Sequence, residues 1–166
     1  MQKLFFLLFF LNNSNLISGQ NLELDKMQQC IGKHIKNIEE ILVTNNYEFV
    51  KFDSAKKILT YKYSKTLADR EAGSRFCDIY QKNDTTDMIR YTTLDKQEYF
   101  DWVKYLKFKN YSSGQPKYDE TKKTEYFGLK KYAVMIETEP ADAIEIKMKI
   151  NKYCLFLVLL KTVIEN

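Results

Sequence analysis

Residues 47–63 have the sequence YEFVKFDSAKKILTYKY, and this stretch decides the fold class. β-Branched and aromatic residues form two short runs, 47–52 and 58–63, as is typical of strands. Between the runs lies Asp53, whose side chain can accept hydrogen bonds from the backbone that follows and so close a four-residue turn. The stretch therefore predicts a β-hairpin.

Two more hairpins are predicted further along the chain. In the first half, strands 75–81 and 88–92 flank a turn at 82–85. In the second half, strands 128–137 and 143–153 flank a turn at 139–142; residues 144–150 (IEIKMKI) show the clearest alternation of apolar and charged side chains. Connections of a few residues favour antiparallel neighbours, so the sequence predicts an antiparallel sheet.

An amphipathic helix is predicted ahead of each set of strands. Asp25 and Asp95 are expected N-cap residues. Gln28 and Glu98 follow three positions later, where each would complete a capping box. The first helix is expected to continue to the asparagines at 45–46, because asparagine tolerates the left-handed conformation that ends a helix.

A short motif occurs twice and suggests duplication. Residues 51–57 (KFDSAKK) recur as 117–123 (KYDETKK), and LDK at 24–26 recurs at 94–96. The sequence predicts an α+β fold in which two amphipathic helices pack on one face of antiparallel sheet, as a tandem αβββ(β) duplication. The expected repeats are 20–92 and 93–166, with one continuous domain 20–166 as the alternative. At fold level only, this arrangement is similar to tandem α/β secreted inhibitors such as the β-lactamase-inhibitor type; no motif carries the likeness.

The first nineteen residues predict export. A positive charge at Lys3 precedes the apolar run 4–11, and small residues follow at 18–19. This is the layout of a secretory signal, here with cleavage expected after Gly19, so the protein is predicted to be periplasmic or secreted. The apolar run is far shorter than the roughly 20 residues that span a bilayer, so no transmembrane span is expected after cleavage.

One apolar segment, CLFLVLL at 154–160, lacks alternation. Three explanations fit it: a central strand covered on both faces, a short buried helix, or a subunit contact through which the protein would form oligomers.

The residues required by many catalytic sites are absent from this sequence. It contains a single histidine, His34, and it lacks a CxxC pair and a glycine-rich phosphate loop. We therefore expect no metal and no cofactor, and favour a non-enzymatic protein. A glycan hydrolase that uses two carboxylates remains the alternative. The candidate acid pairs are Glu39 with Glu40, Asp84 with Asp87, Asp119 with Glu120, and Glu137 with Glu139.

Tyrosines interleaved with lysines predict a binding surface on the sheet. The expected partner is another protein or an anionic envelope polymer. A net charge of only +4 gives no reason to expect nucleic acid. A structural envelope component is a further alternative. The predicted binding residues are Tyr61, Lys62, Tyr63, Tyr126, Lys130, Lys131 and Tyr132.

The three cysteines leave two alternatives open. In an oxidising compartment Cys77 and Cys154, both in predicted strands, would form a disulfide and leave Cys30 as a buried thiol. Alternatively, all three are reduced core residues.

Overall fold

The computed structural model describes residues 24–63, 75–129, 131–140 and 151–159. The helices are α1 (Leu24–Cys30), α2 (Ile35–Thr44) and α3 (Lys96–Phe108). The strands are β1 (Tyr47–Asp53), β2 (Ile58–Tyr63), β3 (Arg75–Lys82), β4 (Thr85–Thr93), β5 (Ser112–Ser113), β6 (Lys117–Tyr118), β7 (Lys123–Leu129), β8 (Tyr132–Pro140) and β9 (Asn151–Leu159). The predicted signal at 1–19 and the alternating segment at 144–150 lie outside the described residues.

The nine strands found in the described residues belong to one antiparallel sheet. Its order is β1-β2-β3-β4-β9-β8-β7, and the two-residue strands β5 and β6 both pair with β7. Strands β1 to β4 thus run in order from one edge of the sheet to its centre, and β7 to β9 run in order from the other edge to the centre. The last strands of the two series meet in the middle, where Arg90 of β4 pairs with Phe156 of β9. The predicted α+β class with an antiparallel sheet is confirmed.

The two hairpins predicted in the first half are both present. In the turn between β1 and β2, Asp53 Oδ1 accepts hydrogen bonds from the backbone N–H groups of Ala55 (3.1 Å) and Lys56 (3.0 Å). Between β3 and β4 the chain turns through Asn83 and Asp84, which have φ angles of 51° and 59°. Asparagine and aspartate tolerate these left-handed conformations, which a two-residue hairpin turn requires.

The predicted strand 128–137 is wrong, because the chain reverses inside it. Leu129 at the end of β7 pairs with Tyr132 at the start of β8, so a two-residue connection joins these strands. Residues 130–131 are both lysine, which gives no turn signal in the sequence. β8 instead continues to Pro140, beyond the predicted end.

The apolar segment at 154–160 contains most of β9, the strand between β4 and β8. Leu155 and Leu157 are fully buried on one face of the sheet, and Phe156 and Val158 lie half-buried on the other. The central-strand explanation is therefore the correct one for 154–159, and the loss of alternation reflects a strand that has apolar side chains on both faces.

The first predicted helix is in fact two helices. Gly32 has φ of 79°, a left-handed conformation that ends α1. Its backbone N–H donates to the carbonyl of Thr86 (2.8 Å), and the N–H of Thr86 donates back to the carbonyl of Lys33 (2.9 Å). These bonds fix the break against the start of β4. His34, predicted in mid-helix, is the N-cap of α2, where its Nδ1 accepts from the N–H of Lys36 (3.3 Å).

Only one of the two predicted N-caps is found. Asp95 caps α3 and accepts from the N–H of Gln97 at 2.8 Å. Asp25 lies inside the first turn of α1 instead. The predicted capping box of α3 is not formed, because the carboxylate of Glu98 points into the protein and binds Arg75 Nε at 2.5 Å.

Helix and strand residues share one buried cluster. Leu42 of α2 and Trp102 of α3 belong to it, together with Ile79, Tyr91 and Leu155 from three neighbouring strands. The Tyr91 and Trp102 rings meet edge-on, with centroids 5.4 Å apart. Since side chains along a strand alternate between faces, the strand residues that neighbour these buried ones in sequence point to the opposite face of the sheet.

Candidate functional site

We call the side of the sheet that points away from the buried cluster the groove face. A groove of about 400 Å³ crosses it, lined by residues of β1 to β4, β8 and β9. Six of its lining residues are charged: Lys51, Asp78, Arg90, Glu137, Glu139 and Lys152.

Asp78 forms the polar centre of the groove and is only 4% exposed. Its Oδ1 accepts a hydrogen bond from Thr60 Oγ1 at 2.7 Å, and its Oδ2 accepts from Arg90 Nε at 2.8 Å and from Arg90 Nη2. The sheet register aligns these side chains, because Asp78 lies directly opposite Thr60 on β2 and Arg90 on β4. The buried carboxylate is thus compensated by three hydrogen bonds, two of them from a cation.

Arg90 has donors left over for a ligand. Burial by itself lowers its pKa, but the hydrogen bond and the charge of Asp78 outweigh that effect, and the pKa is raised. The guanidinium therefore stays charged, and its side chain is 39% exposed to the groove. Nε and Nη2 bind Asp78, whereas Nη1 has no hydrogen-bond partner among the described residues.

Cys154 lies beside this centre, with its Sγ 3.6 Å from Thr92 Oγ1. Burial raises the pKa of Cys154, and the hydrogen bond with Thr92 and the charges of Lys152 and Arg90 offset only part of that rise. Since the thiolate is the nucleophilic form, a thiol with a raised pKa is a poor catalytic nucleophile.

Ion pairs also neutralise the acids at the edge of the groove. Glu137 Oε1 lies 2.5 Å from Lys122 Nζ, and Glu139 Oε1 lies 2.6 Å from Lys152 Nζ. The hydrogen bond that Lys122 donates to Glu137 raises the pKa of Lys122 and outweighs the burial that would lower it. Lys51 differs from these cations, because no carboxylate pairs with it among the described residues.

Three large apolar side chains also line the groove. Phe76 and Phe156 lie half-buried in it, and Val50 is 49% exposed. Val50 reaches the groove because the register between β1 and β2 shifts between Phe49 and Lys51. Such bulges re-aim a side chain of an edge strand.

Asp78 lies too far from the acids on β8 to form the acid pair of a two-carboxylate hydrolase. Asp78 and Glu137 lie on β3 and β8, which are three strand intervals apart, or about 14 Å at ~4.8 Å per interval. Glycoside hydrolases hold their two carboxyl groups about 5–10 Å apart, and one of them carries a proton. Glu137 and Glu139 lie two positions apart on β8, or about 7 Å along the strand, but each is ion-paired with a lysine, and Asp78 is ion-paired with Arg90. In the described part of the chain, no group of three or more His, Cys, Asp or Glu side chains could hold a metal ion.

The structure does not bring the predicted Tyr/Lys residues together. Tyr61 and Tyr63 are 2% and 4% exposed and belong to the buried cluster, where their rings are not available to a partner. Lys62 and Tyr126 lie on the groove face, but on β2 and β7, about 24 Å apart at ~4.8 Å per strand interval. Tyr132 packs against the buried cluster and Lys131 is exposed. Lys130 lies outside the described residues.

The predicted Cys77–Cys154 disulfide is not present, and all three cysteines are free and buried. Cys77 pairs with Tyr91 and faces the buried cluster, whereas Cys154 pairs with Thr92 and faces the groove. The two thiols therefore lie on opposite faces of the sheet. Burial raises the pKa of Cys30 to about 11.

Comparison of the chain with protein-family models, with curated proteins and with solved structures gives no match. Among the helices of the described ranges, none has the length and apolar character needed to cross a membrane.

Proposed function

We propose that this protein is an exported, non-enzymatic binding module that holds its ligand in the groove. The observation that carries the proposal is the groove itself, in which apolar side chains lie near the hydrogen-bonded Asp78 and, among the described residues, Lys51 and Arg90 retain donors without partners. Pockets that combine apolar walls with a few fixed polar groups are the usual form of a ligand site.

We thus retain the function predicted from the sequence but assign ligand binding to the groove and not to the predicted Tyr/Lys surface. The binding residues become those of the groove, because the rings of Tyr61 and Tyr63 are buried in the core. Export rests on the signal-like residues 1–19. The oligomer contact through 154–160 stays a prediction: Leu155 and Leu157 are fully buried, and of the described side chains in this segment only Phe156 and Val158, on the groove face, could take part in it.

We also propose that the sheet arose by tandem duplication and that the groove crosses the junction of the two halves. β9 (Asn151–Leu159) has the same length as β4 (Thr85–Thr93) and lies 66 positions after it (151 against 85). The repeated motif at 51–57 and 117–123 has the same spacing. The pair Arg90–Phe156 also differs by 66, as expected if a twofold axis passes between these residues.

Helix positions support the same proposal. α2 precedes the four strands β1 to β4, and α3 precedes β5 to β9. Residues of both helices join one buried cluster with the sheet, which favours the predicted packing of the helices on one face. Ligand sites are common where two such units meet.

Two matched variants test the proposed function. Val50→Trp fills the groove from an exposed position on β1, whereas Val43→Trp makes the same change on the exposed side of α2 (58% exposed). Each purified protein is incubated with envelope extract, desalted and weighed by native mass spectrometry. We expect wild type and Val43→Trp to retain a stoichiometric adduct and Val50→Trp to lose it. An adduct that survives in Val50→Trp, or no adduct in wild type, would contradict the proposal.

A further inference from the structure

We propose that the groove binds a small amphipathic anion, whose acidic group contacts Lys51 and Arg90 and whose apolar body lies across Phe156. This inference deepens the proposed function and rests on it.

The charges of the groove favour a ligand with one negative charge. Asp78, Glu137 and Glu139 are each paired with a cation, namely Arg90, Lys122 and Lys152. Lys51 remains as a surplus positive charge among the described residues. A cationic ligand would meet this lysine and would find every lining carboxylate already engaged.

The sheet also changes from charged to apolar along one line. Residues aligned across neighbouring strands on the groove face form a row that runs from β1 to β7. On β1 to β4 the row is polar, and on β9 to β7 it is apolar or aromatic, with the change at the pair Arg90–Phe156. In order, the row is Lys51, Thr60, Asp78 and Arg90, then Phe156, Met135 and Tyr126. Of the apolar half of the row, Phe156 lines the groove, next to Arg90, so the apolar body of a compact ligand would lie on its ring.

The donors in the polar half are suited to an acidic group. Arg90 has Nη1 free of partners among the described residues, and Asp78 fixes the orientation of its guanidinium. Lys51 supplies a mobile ammonium from the edge strand. The groove volume of about 400 Å³ lies at the small end of the range for small-molecule sites, so it suits a compact ligand and excludes a folded domain.

Three eight-carbon probes that differ in head-group charge test the inference: octanoate, octyltrimethylammonium and octyl glucoside, each below its micelle concentration. We expect isothermal titration to give saturable one-to-one binding of octanoate, at least about tenfold tighter than that of the other two probes. Equal binding of octyltrimethylammonium would overturn the inference.

Variants of one hairpin locate the site. Lys51→Gln should weaken octanoate binding about tenfold, as expected for the loss of one charge-assisted hydrogen bond. Lys56→Gln changes a lysine in the turn of the same hairpin, outside the groove, and should leave the affinity unchanged. The loss of affinity caused by Lys51→Gln should be smaller at high salt, because Lys51 is exposed and salt screens its charge. If both variants bind octanoate as wild type does, the assignment of Lys51 is wrong.

The results also separate this inference from the proposed function. If octyl glucoside binds as tightly as octanoate and Val50→Trp blocks both, the groove is a ligand site but its preference for anions is refuted. If none of the probes binds, and Val50→Trp retains the adduct captured from envelope extract, both proposals fail.

Discussion

Replacing Asp78 by alanine tests the polar centre of the groove most directly. The carboxylate is 4% exposed and accepts one hydrogen bond from Thr60 and two from Arg90. Without it, the hydroxyl of the buried Thr60 loses its partner, at a cost of about 1 kcal/mol. The guanidinium of Arg90 loses its carboxylate but is 39% exposed and can be partly hydrated, which limits that loss to about 2 kcal/mol.

Asp78→Ala should therefore lower the free energy of unfolding by about 3 kcal/mol, or the melting temperature by about 6–12 °C for a chain of this size. Urea denaturation measures the effect through the fluorescence of Trp102, the single tryptophan, which is 6% exposed against Tyr91. Asp101→Ala, on the exposed side of α3, is the control and should stay within about 0.5 kcal/mol of wild type.

A double-mutant cycle separates the ion pair from general packing effects. Asp78→Ala combined with Arg90→Met should give a coupling energy of about 1.5 kcal/mol or more, because the two side chains act as one unit. The reasoning is refuted if Asp78→Ala costs no more than Asp101→Ala, or if the coupling energy is near zero.

The remaining predictions concern the core and one turn. Burial, more than any other cause, raises the pKa of the Tyr61 phenol to about 12, so its contribution to stability is complete below pH 10 and is lost as pH rises from 10 to 12. Tyr61→Phe should abolish this loss of stability and remove one late step from the absorbance titration of the tyrosines. Tyr118→Phe, at an exposed position, should leave the loss of stability unchanged. All three thiols should be alkylated in urea without reductant and be protected in the native protein, and a thiol that needs reduction first would contradict the free cysteines. Gly32→Ala should destabilise the protein by about 1 kcal/mol, because φ of 79° strains any residue with a side chain, even though the added Cβ would have room. Gly32→Asn should cost less, because asparagine tolerates this conformation. A Gly32→Ala variant as stable as wild type would refute this prediction.

Local chemistry explains what the sequence predicted well. The turn at Asp53 was predictable because the aspartate bonds to backbone groups two and three residues away. The end of α2 was predictable for a similar reason, since Asn46 adopts φ of 64°, which asparagine tolerates. Elements of this kind need no information from the rest of the chain.

Tertiary contacts explain the main errors. The apolar spacing of residues 27–42 continues through Gly32, so the pattern alone indicates one helix. The break is stabilised by backbone hydrogen bonds between residues 32–33 and Thr86, more than fifty positions away. The reversal between Leu129 and Tyr132 has no turn residue to announce it, and its strands gain their stability from the pairing of β7 with β8.

The centre of the groove depends on a feature that the sequence does not display. The register of β3 and β4 shifts between Tyr80 and Gln81. Counting back from the turn, where Lys82 pairs with Thr85, an unshifted ladder would place Asp78 opposite Ile89. The shift moves Asp78 opposite Arg90 instead and so creates the ion pair. A carboxylate opposite isoleucine gives no reason to predict a site, whereas a carboxylate opposite arginine does.

The proposed duplication accounts for how one sheet could acquire two chemically different ends. On this proposal a twofold axis between Arg90 and Phe156 makes Thr60 equivalent to Tyr126, again 66 positions apart. It also makes Asp78 equivalent to Met135, only 57 positions apart because the β7–β8 connection is nine residues shorter than the β2–β3 connection. Two identical copies would present the same groups at both ends and would suit a symmetrical ligand. Because the two halves belong to one chain, each can change independently of the other. On the two proposals together, charges retained in one half and apolar side chains in the other would let the row distinguish the two ends of an amphiphile, which a symmetrical pair of subunits cannot do.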